Sequence, residues 1–196
     1  MKLIGLTGNI GTGKTTIARV FETLGVPVYH ADVQAKLLLN SKEIKQTIEV
    51  LFGSGIYDEN GQVNRKAVAD IVFNDIRKLQ ALNRLIHPLV EKDFAVWSVK
   101  HQKKPYILHE AAILFESGFD RLFDATILVT APSELCFSRV MARDHLTKEQ
   151  VENRMRNQWT QDKKQALADY LIVNDNNCLV LPQVLEIHQR ILGGIS

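Results

Sequence analysis

The chain has 196 residues, 45% of them hydrophobic, which is enough for one domain with a substantial core and too little for two independent ones. Lys and Arg number 24 against 22 Asp and Glu, and the formal net charge of +2 excludes the broad basic field of a nucleic-acid binder, so an anionic partner must be bound locally. Two cysteines without metal-ligand spacing exclude a disulfide framework, and the lack of a charged-then-apolar leader or of an apolar run near the roughly 20 residues that span a bilayer argues against membranes and for the cytoplasm.

The apolar run within Lys2 to Thr7 predicts a buried strand, and it leads straight into Gly8-Asn9-Ile10-Gly11-Thr12-Gly13-Lys14-Thr15. That is a complete G-x-x-x-x-G-K-T loop. Its glycines let the backbone curl around a polyphosphate with N–H groups inward, Lys14 reaches the β- and γ-phosphates, and the Thr15 hydroxyl can hold Mg²⁺. From Thr16 onward, Ile17, Val20, Phe21 and Leu24 fall at helical spacing, so a helix N-terminus also faces the phosphates. Gly25 then turns the chain into a short strand, Val26 to Tyr29, completing a β-α-β unit whose second strand is expected beside the first. Asp32 follows that strand. A carboxylate there can orient an attacking hydroxyl as base or positioning group, although Asp also caps helices such as the one expected from Val33 to Leu39.

Residues 31 to 102 carry helical signals, with a loop at Gly53-Ser54-Gly55, a turn at Asp58-Glu59-Asn60-Gly61, and a break expected at His87-Pro88. Strands follow at Tyr106 to His109, Ala125 to Thr130 and Tyr170 to Val173, the first ending at Glu110 where a carboxylate can orient the water shell of Mg²⁺. Ser133 is expected to cap a helix to about Arg143, on which Arg139 and Arg143 share a face and can both reach one phosphate. Thr147-Lys148-Glu149-Gln150 reads as a capping box opening a helix that carries Arg154 and Arg156, and the last helix, from about Leu179, places Val180, Val184, Ile187 and Ile191 on one face. Cys136 and Cys178 fall in expected helices as inert packing residues.

The expected fold is α/β, a five-stranded parallel sheet flanked by helices in one domain. Its core is residues 1–30, 103–135 and 165–196, with a helical substrate-binding insertion at about 31–102 and a lid at about 136–164. No Asn-Lys-x-Asp segment exists to read guanine, and the Asp58 to Gly61 match to a GTPase D-x-x-G lies in a polar turn rather than at a strand end. A small-molecule kinase fits better, with lid arginines supplying charge to the transferring phosphoryl group.

These pieces resemble the dephospho-CoA kinases over nearly the whole chain. Ile4 to Thr16 is similar to that family's G-L-T-G-G-I-G-S-G-K-S-T opening, Ala31-Asp32 to the end of its D-A-D segment, His87-Pro88-Leu89-Val90 to its H-P motif, and Ile113-Leu114-Phe115-Glu116-Ser117-Gly118 to its P-L-L-F-E stretch. Arg139 to Asp144 with Arg154 and Gln158 resembles its R-x-x-x-R-D and R-x-x-x-Q pattern, and Ala168 to Asn174 its A-D-x-x-I-x-N. The resemblance implies a P-loop kinase fold, with ATP held by Gly8 to Thr16, Arg139 and Asn174. It implies Asp32 facing the 3′-hydroxyl of dephospho-CoA, and His87, Glu110 and Leu114 on the acceptor side. Lys14, Arg139 and Arg143 would act on the phosphates, and Thr15, with Glu110 through water, on Mg²⁺. Departures are His30 and Glu110 in place of Asp, Ala112 in place of Pro, and Thr15 in place of Ser. The partners implied are ATP and dephospho-CoA; a monomer is expected, with an oligomer left open, and the alternatives in function are another small-molecule kinase, such as one for a nucleoside monophosphate, and a non-catalytic ATP-binding switch.

Overall fold

A computed structural model of the protein describes residues 1–59 and 61–193. Strand β1 (Lys2–Thr7) leads to helix α1 (Lys14–Thr23) and strand β2 (Val28–His30), followed by helices α2 (Ala31–Leu38), α3 (Lys42–Phe52), α4 (Arg65–Asn74) and α5 (Ile76–Val99). Then come β3 (Tyr106–Glu110), β4 (Ala125–Thr130), α6 (Ser133–Asp144), α7 (Lys148–Arg156), α8 (Gln161–Gln165), β5 (Tyr170–Val173) and α9 (Val180–Gly193). Among the described residues the strands form one five-stranded parallel sheet in the order β2-β3-β1-β4-β5.

This order corrects the expectation that β2 lies beside β1. Strand β3 stands between them, with Leu3 opposite Ile107 on one side and Val28 opposite Leu108 on the other. The burial pattern explains the arrangement. Ile4 and Leu6 on one face of β1 and Gly5 and Thr7 on the other are all buried, so β1 is covered on both faces and takes neighbours on both edges. Strand β2 has three residues, two of them half-buried, and suits an edge. Ile17 and Phe21 of α1 and Val184 and Ile191 of α9 pack with Ile4, Leu108 and Ile127 into one cluster, each such side chain contributing about 1.5–3 kcal/mol.

Residues 1–30 and 97–196 form one compact unit that holds the whole sheet, and residues 31–96 form a second, helical one. In the second unit Asn64 caps α4 by accepting from the Ala67 N–H at 3.1 Å. The expected turn is present: Gly61 N–H donates to the Asp58 carbonyl at 2.9 Å and Gln62 N–H to the Asp58 carboxylate at 2.8 Å, while Asn60 lies outside the described residues. A bridge between Tyr57 and Val63 closes it.

Helix α5 runs unbroken through His87-Pro88, where a break was expected. Leu82, Ile86, Val90 and Phe94 keep a spacing of four through the proline and are all buried, while Pro88 lies on the exposed side. Burial at about 1.5–3 kcal/mol per side chain outweighs the roughly 3 kcal/mol cost of an interior proline. Three smaller expectations shift as well. Ser133 is the first residue of α6 rather than its cap, a position taken by Pro132. Asp32 sits in the first turn of α2, not ahead of it. Cys178 is exposed in the loop before α9, and only Cys136 is a buried helical residue. Among the described residues no helix is long and apolar enough to cross a membrane.

His109 makes the sheet unit acid-sensitive. Its ring stacks on Tyr29 and Phe119 at 5.3 and 5.7 Å and meets Phe123 at 5.2 Å, and burial pushes its pKa down to about 4 from 6.5. A histidine with a depressed folded pKa stays neutral when the unfolded chain has already taken up a proton. Stability is therefore lost as pH falls from about 6.5 to about 4, by about 3 kcal/mol in all, and this contribution is flat above neutrality. His109→Phe is expected to flatten the melting-temperature profile between pH 7 and 4.5 relative to the parent. Parallel profiles for the two proteins would show that His109 is not held neutral.

Candidate active site

The loop between β1 and α1 is shaped by its glycines. Gly11 has φ of 85°, and a Cβ there would meet the Cys136 backbone of α6 at 2.6 Å. Gly13, with φ of 92°, forms the N-cap of α1, and a Cβ would collide with the Asn174 amide. Having no side chain, Gly13 leaves the first amides of α1 to an anion, and no acidic residue occupies the first turn. The front of the loop is a turn of its own, in which Thr12 Oγ1 donates to the Asn9 carbonyl at 2.8 Å. Lys14, 8% exposed, folds back so that Nζ lies 3.4 Å from the same carbonyl.

On one flank two side chains meet the Gly11–Gly13 backbone. Asn174 follows β5, its own N–H bound to the Thr130 carbonyl, and its Nδ2 donates to the Thr12 carbonyl at 2.8 Å. Arg139 reaches across from α6, donating to the Gly11 carbonyl at 3.4 Å, to Asn174 Oδ1 at 3.5 Å and to Asn176 Oδ1 at 2.7 Å. The two residues singled out from sequence are thus brought together, and Asn176, in a left-handed conformation with φ of 70°, joins them. The sequence signal for Asn176 was only a polar run after a strand.

Arg143 is not brought to this place. Its Nε and Nη2 hold the Asp144 carboxylate at 2.7 and 2.9 Å, an arrangement that raises its pKa, and Arg154 binds the same carboxylate at 3.2 Å. Helical spacing put Arg139 and Arg143 on one face, but a carboxylate on the next residue outcompetes a more distant partner for a long, 64% exposed side chain.

At the strand ends, parallel register sets Glu110 opposite Leu6 of β1 and His30 of β2. Glu110 is 4% exposed, and its Oε2 lies 2.8 Å from His30 Nδ1, while His30 Nε2 lies 3.2 Å from Glu22 Oε1. Burial lowers the His30 pKa, but the hydrogen bonds to Glu110 and Glu22 outweigh it and the net shift is upward. An imidazolium can donate from both nitrogens to the two carboxylates, whereas a neutral ring can donate from one. His30 therefore does more than remove a carboxylate: it anchors the longer Glu110 side chain. Glu22, which completes the bridge, gave no signal in the sequence.

The remaining predicted residues are placed as follows. Thr15 is exposed in the first turn of α1 and Thr16 next to it. Asp32 is exposed in α2, and His87 is half-buried in α5, where burial lowers its pKa. Leu114 is fully buried in contact range of Gly5, which gives it a packing role. The oxygen donors Thr15 and Glu110 suit Mg²⁺, which binds through one or two protein oxygens, waters and substrate phosphates rather than an all-protein cage. Among the described residues no group of three or more His, Cys, Asp or Glu side chains is arranged to hold a metal.

A model of the family described as dephospho-CoA kinase matches residues 2–179. A dephospho-CoA kinase from Porphyromonas gingivalis is 39% identical over 196 residues, covering 97% of this chain and 95% of its own. One from Chlorobaculum tepidum is 41% identical over 198 residues with the same coverages. The solved dephospho-CoA kinase from Campylobacter jejuni superposes with a TM-score of 0.71 at 25% identity, over 99% of this chain and 98% of that one. With the glycine loop, Arg139 and Asn174 joined at one flank and a family match over nearly its whole length, the chain belongs to the dephospho-CoA kinase family.

Proposed function

We propose that the protein transfers the γ-phosphate of ATP to the 3′-hydroxyl of dephospho-CoA, giving CoA and ADP. The observation that carries this reading is the convergence of Arg139 and Asn174 on the Gly11–Gly13 backbone. In this reading β1, α1, α6 and β5 together supply the ATP site. The inward amides of the loop and Lys14 hold the β- and γ-phosphates, and Asn174 sits on the adenine side. Arg139 neutralises charge, and Arg143 joins it by exchanging Asp144 for phosphate oxygens when the end of α6 and α7 close as a lid, while residues 158–164 stay anchored to the phosphate loop and to Glu116.

Asp32 accepts a hydrogen bond from the acceptor hydroxyl and orients it for in-line attack. The helical segment 31–102, with His87, holds the CoA half of the acceptor. Thr15 is the ligand for Mg²⁺, and Glu110, fixed by His30, orients the ion's water shell. Held by these residues, Mg²⁺ would supply charge neutralisation to the transferring phosphoryl group. The enzyme works in the cytoplasm as a monomer.

Incubation of the folded protein with Mg-ATP and dephospho-CoA, followed by mass detection, is expected to yield CoA and ADP in equal amounts. Nucleoside monophosphates offered in place of dephospho-CoA should release no ADP. Absence of CoA, or turnover of a mononucleotide instead, would overturn the proposal.

A further inference from the structure

Behind the loop, away from Arg139 and Asn174, lies a buried polar network that the phosphoryl-transfer chemistry does not use. Lys164 of α8 has 0% exposure, and its Nζ pairs with Glu116 Oε1 at 2.8 Å and donates to the Ala112 carbonyl at 3.0 Å. The same Glu116 oxygen accepts the Trp159 N–H at 2.8 Å. Gln158 donates from Nε2 to the Ala112 carbonyl at 3.3 Å and accepts the Ile10 N–H on Oε1 at 2.9 Å. The circuit closes where Asn9 Nδ2 donates to the Trp159 carbonyl at 2.9 Å.

Burying an ammonium and a carboxylate is costly, and a buried pair of this kind is weak evidence for stability alone. What this one achieves is positional. Lys164 fixes Ala112 and Glu116, these fix Gln158 and Trp159, and those two hold the second and third residues of the phosphate loop from outside. The rest of α8 is pinned independently, since Gln161 exchanges two hydrogen bonds with the Ala131 backbone at 3.0 and 2.9 Å. Ile10 N–H is committed to Gln158 and Thr12 N–H to the Asn9 carbonyl, so the front of the loop is held by protein partners rather than by phosphate.

We infer that Lys164 and Gln158 are positioning residues for nucleotide binding, which hold the front of the phosphate loop in its binding shape before ATP arrives. The inference rests on the reading of this loop as the ATP site. A loop ordered in advance loses less conformational freedom when the ligand binds. Ordering a single backbone residue corresponds to about a tenfold change in affinity.

The test is calorimetric binding of ATP and ADP to folded Gln158→Leu, Lys164→Met and the double variant, with steady-state constants for both substrates. Each single variant is expected to weaken both nucleotides about tenfold while leaving KM for dephospho-CoA within about twofold of the parent. The double variant should be no weaker than either single one, because both act along one chain of contacts. Gln158 lies outside the ion pair, so Gln158→Leu decides the matter even if Lys164→Met does not fold. Unchanged nucleotide affinity in folded Gln158→Leu, or losses that add in the double variant, would overturn the inference. Binding is measured without acceptor, so a parent that binds ATP yet makes no CoA counts against the proposed reaction only.

Discussion

Lys14→Ala is expected to lower kcat/KM for CoA formation by about 10³-fold, comparable to or larger than the loss of a single oxyanion-hole donor. The γ-phosphoryl group passes through a transition state whose charge lies on its peripheral oxygens, so catalysis is mostly positioning and charge neutralisation. Lys14 is the loop's own cation, largely withdrawn from water and folded over the mouth beside the Asn9 carbonyl. Low local dielectric makes a charge there worth more than an exposed one. Arg139 does not substitute, because its guanidinium is spread over Gly11, Asn174 and Asn176 on the other flank. An ADP-release assay against circular-dichroism melts checks the claim. Activity within tenfold of the parent, in a folded variant, would refute the role of Lys14.

The phosphate loop was legible because its chemistry is contiguous: eight neighbouring residues fix glycine torsions, cation and hydroxyl together, and the preceding strand and following helix carry their own periodicities. Arg139 was legible from spacing and resemblance and Asn174 from resemblance alone, and they meet because Asn174 directly follows β5 while Arg139 reaches across from the middle of α6. What failed to show depends on partners far away in the chain. In Gln161-Asp162-Lys163-Lys164-Gln165 nothing local sets Lys164 apart from Lys163, yet Lys164 is buried and paired with Glu116 and the Ala112 carbonyl. The place of β3 between β1 and β2 is a choice among non-local pairings that no local pattern encodes. Pro88 misled in the opposite direction, since a strong local rule was overridden by four buried side chains at helical spacing. Arg143 shows a limit of face arguments: sharing a helical stripe with Arg139 did not decide where a flexible side chain finds its nearest carboxylate.

Asp32→Asn is expected to reduce kcat by about 10² to 10⁴-fold, the range supplied by a positioned acid or base, while ATP affinity stays within about twofold of the parent. Two roles compete for this carboxylate, and their magnitudes separate them. In the first turn of α2 an acidic side chain is favoured by the helix dipole, and its loss there costs about 0.3–1 kcal/mol of stability. A purely structural Asp32 would therefore cost a few degrees of melting temperature and leave turnover of the folded enzyme near that of the parent. An Asp32 that orients the acceptor hydroxyl would show the reverse, a small thermal shift with a collapse in kcat. The second outcome is the expected one because Asp32 comes two residues after the end of β2, and in a parallel sheet that end lies on the same side as the end of β1, from which the phosphate loop starts. Asn keeps the size and the hydrogen-bonding carbonyl but removes the charge that draws the hydroxyl proton, which makes it the more discriminating substitution than Ala. A melting-temperature loss with unchanged kcat would assign Asp32 to the helix alone and leave the acceptor hydroxyl to be oriented by another group.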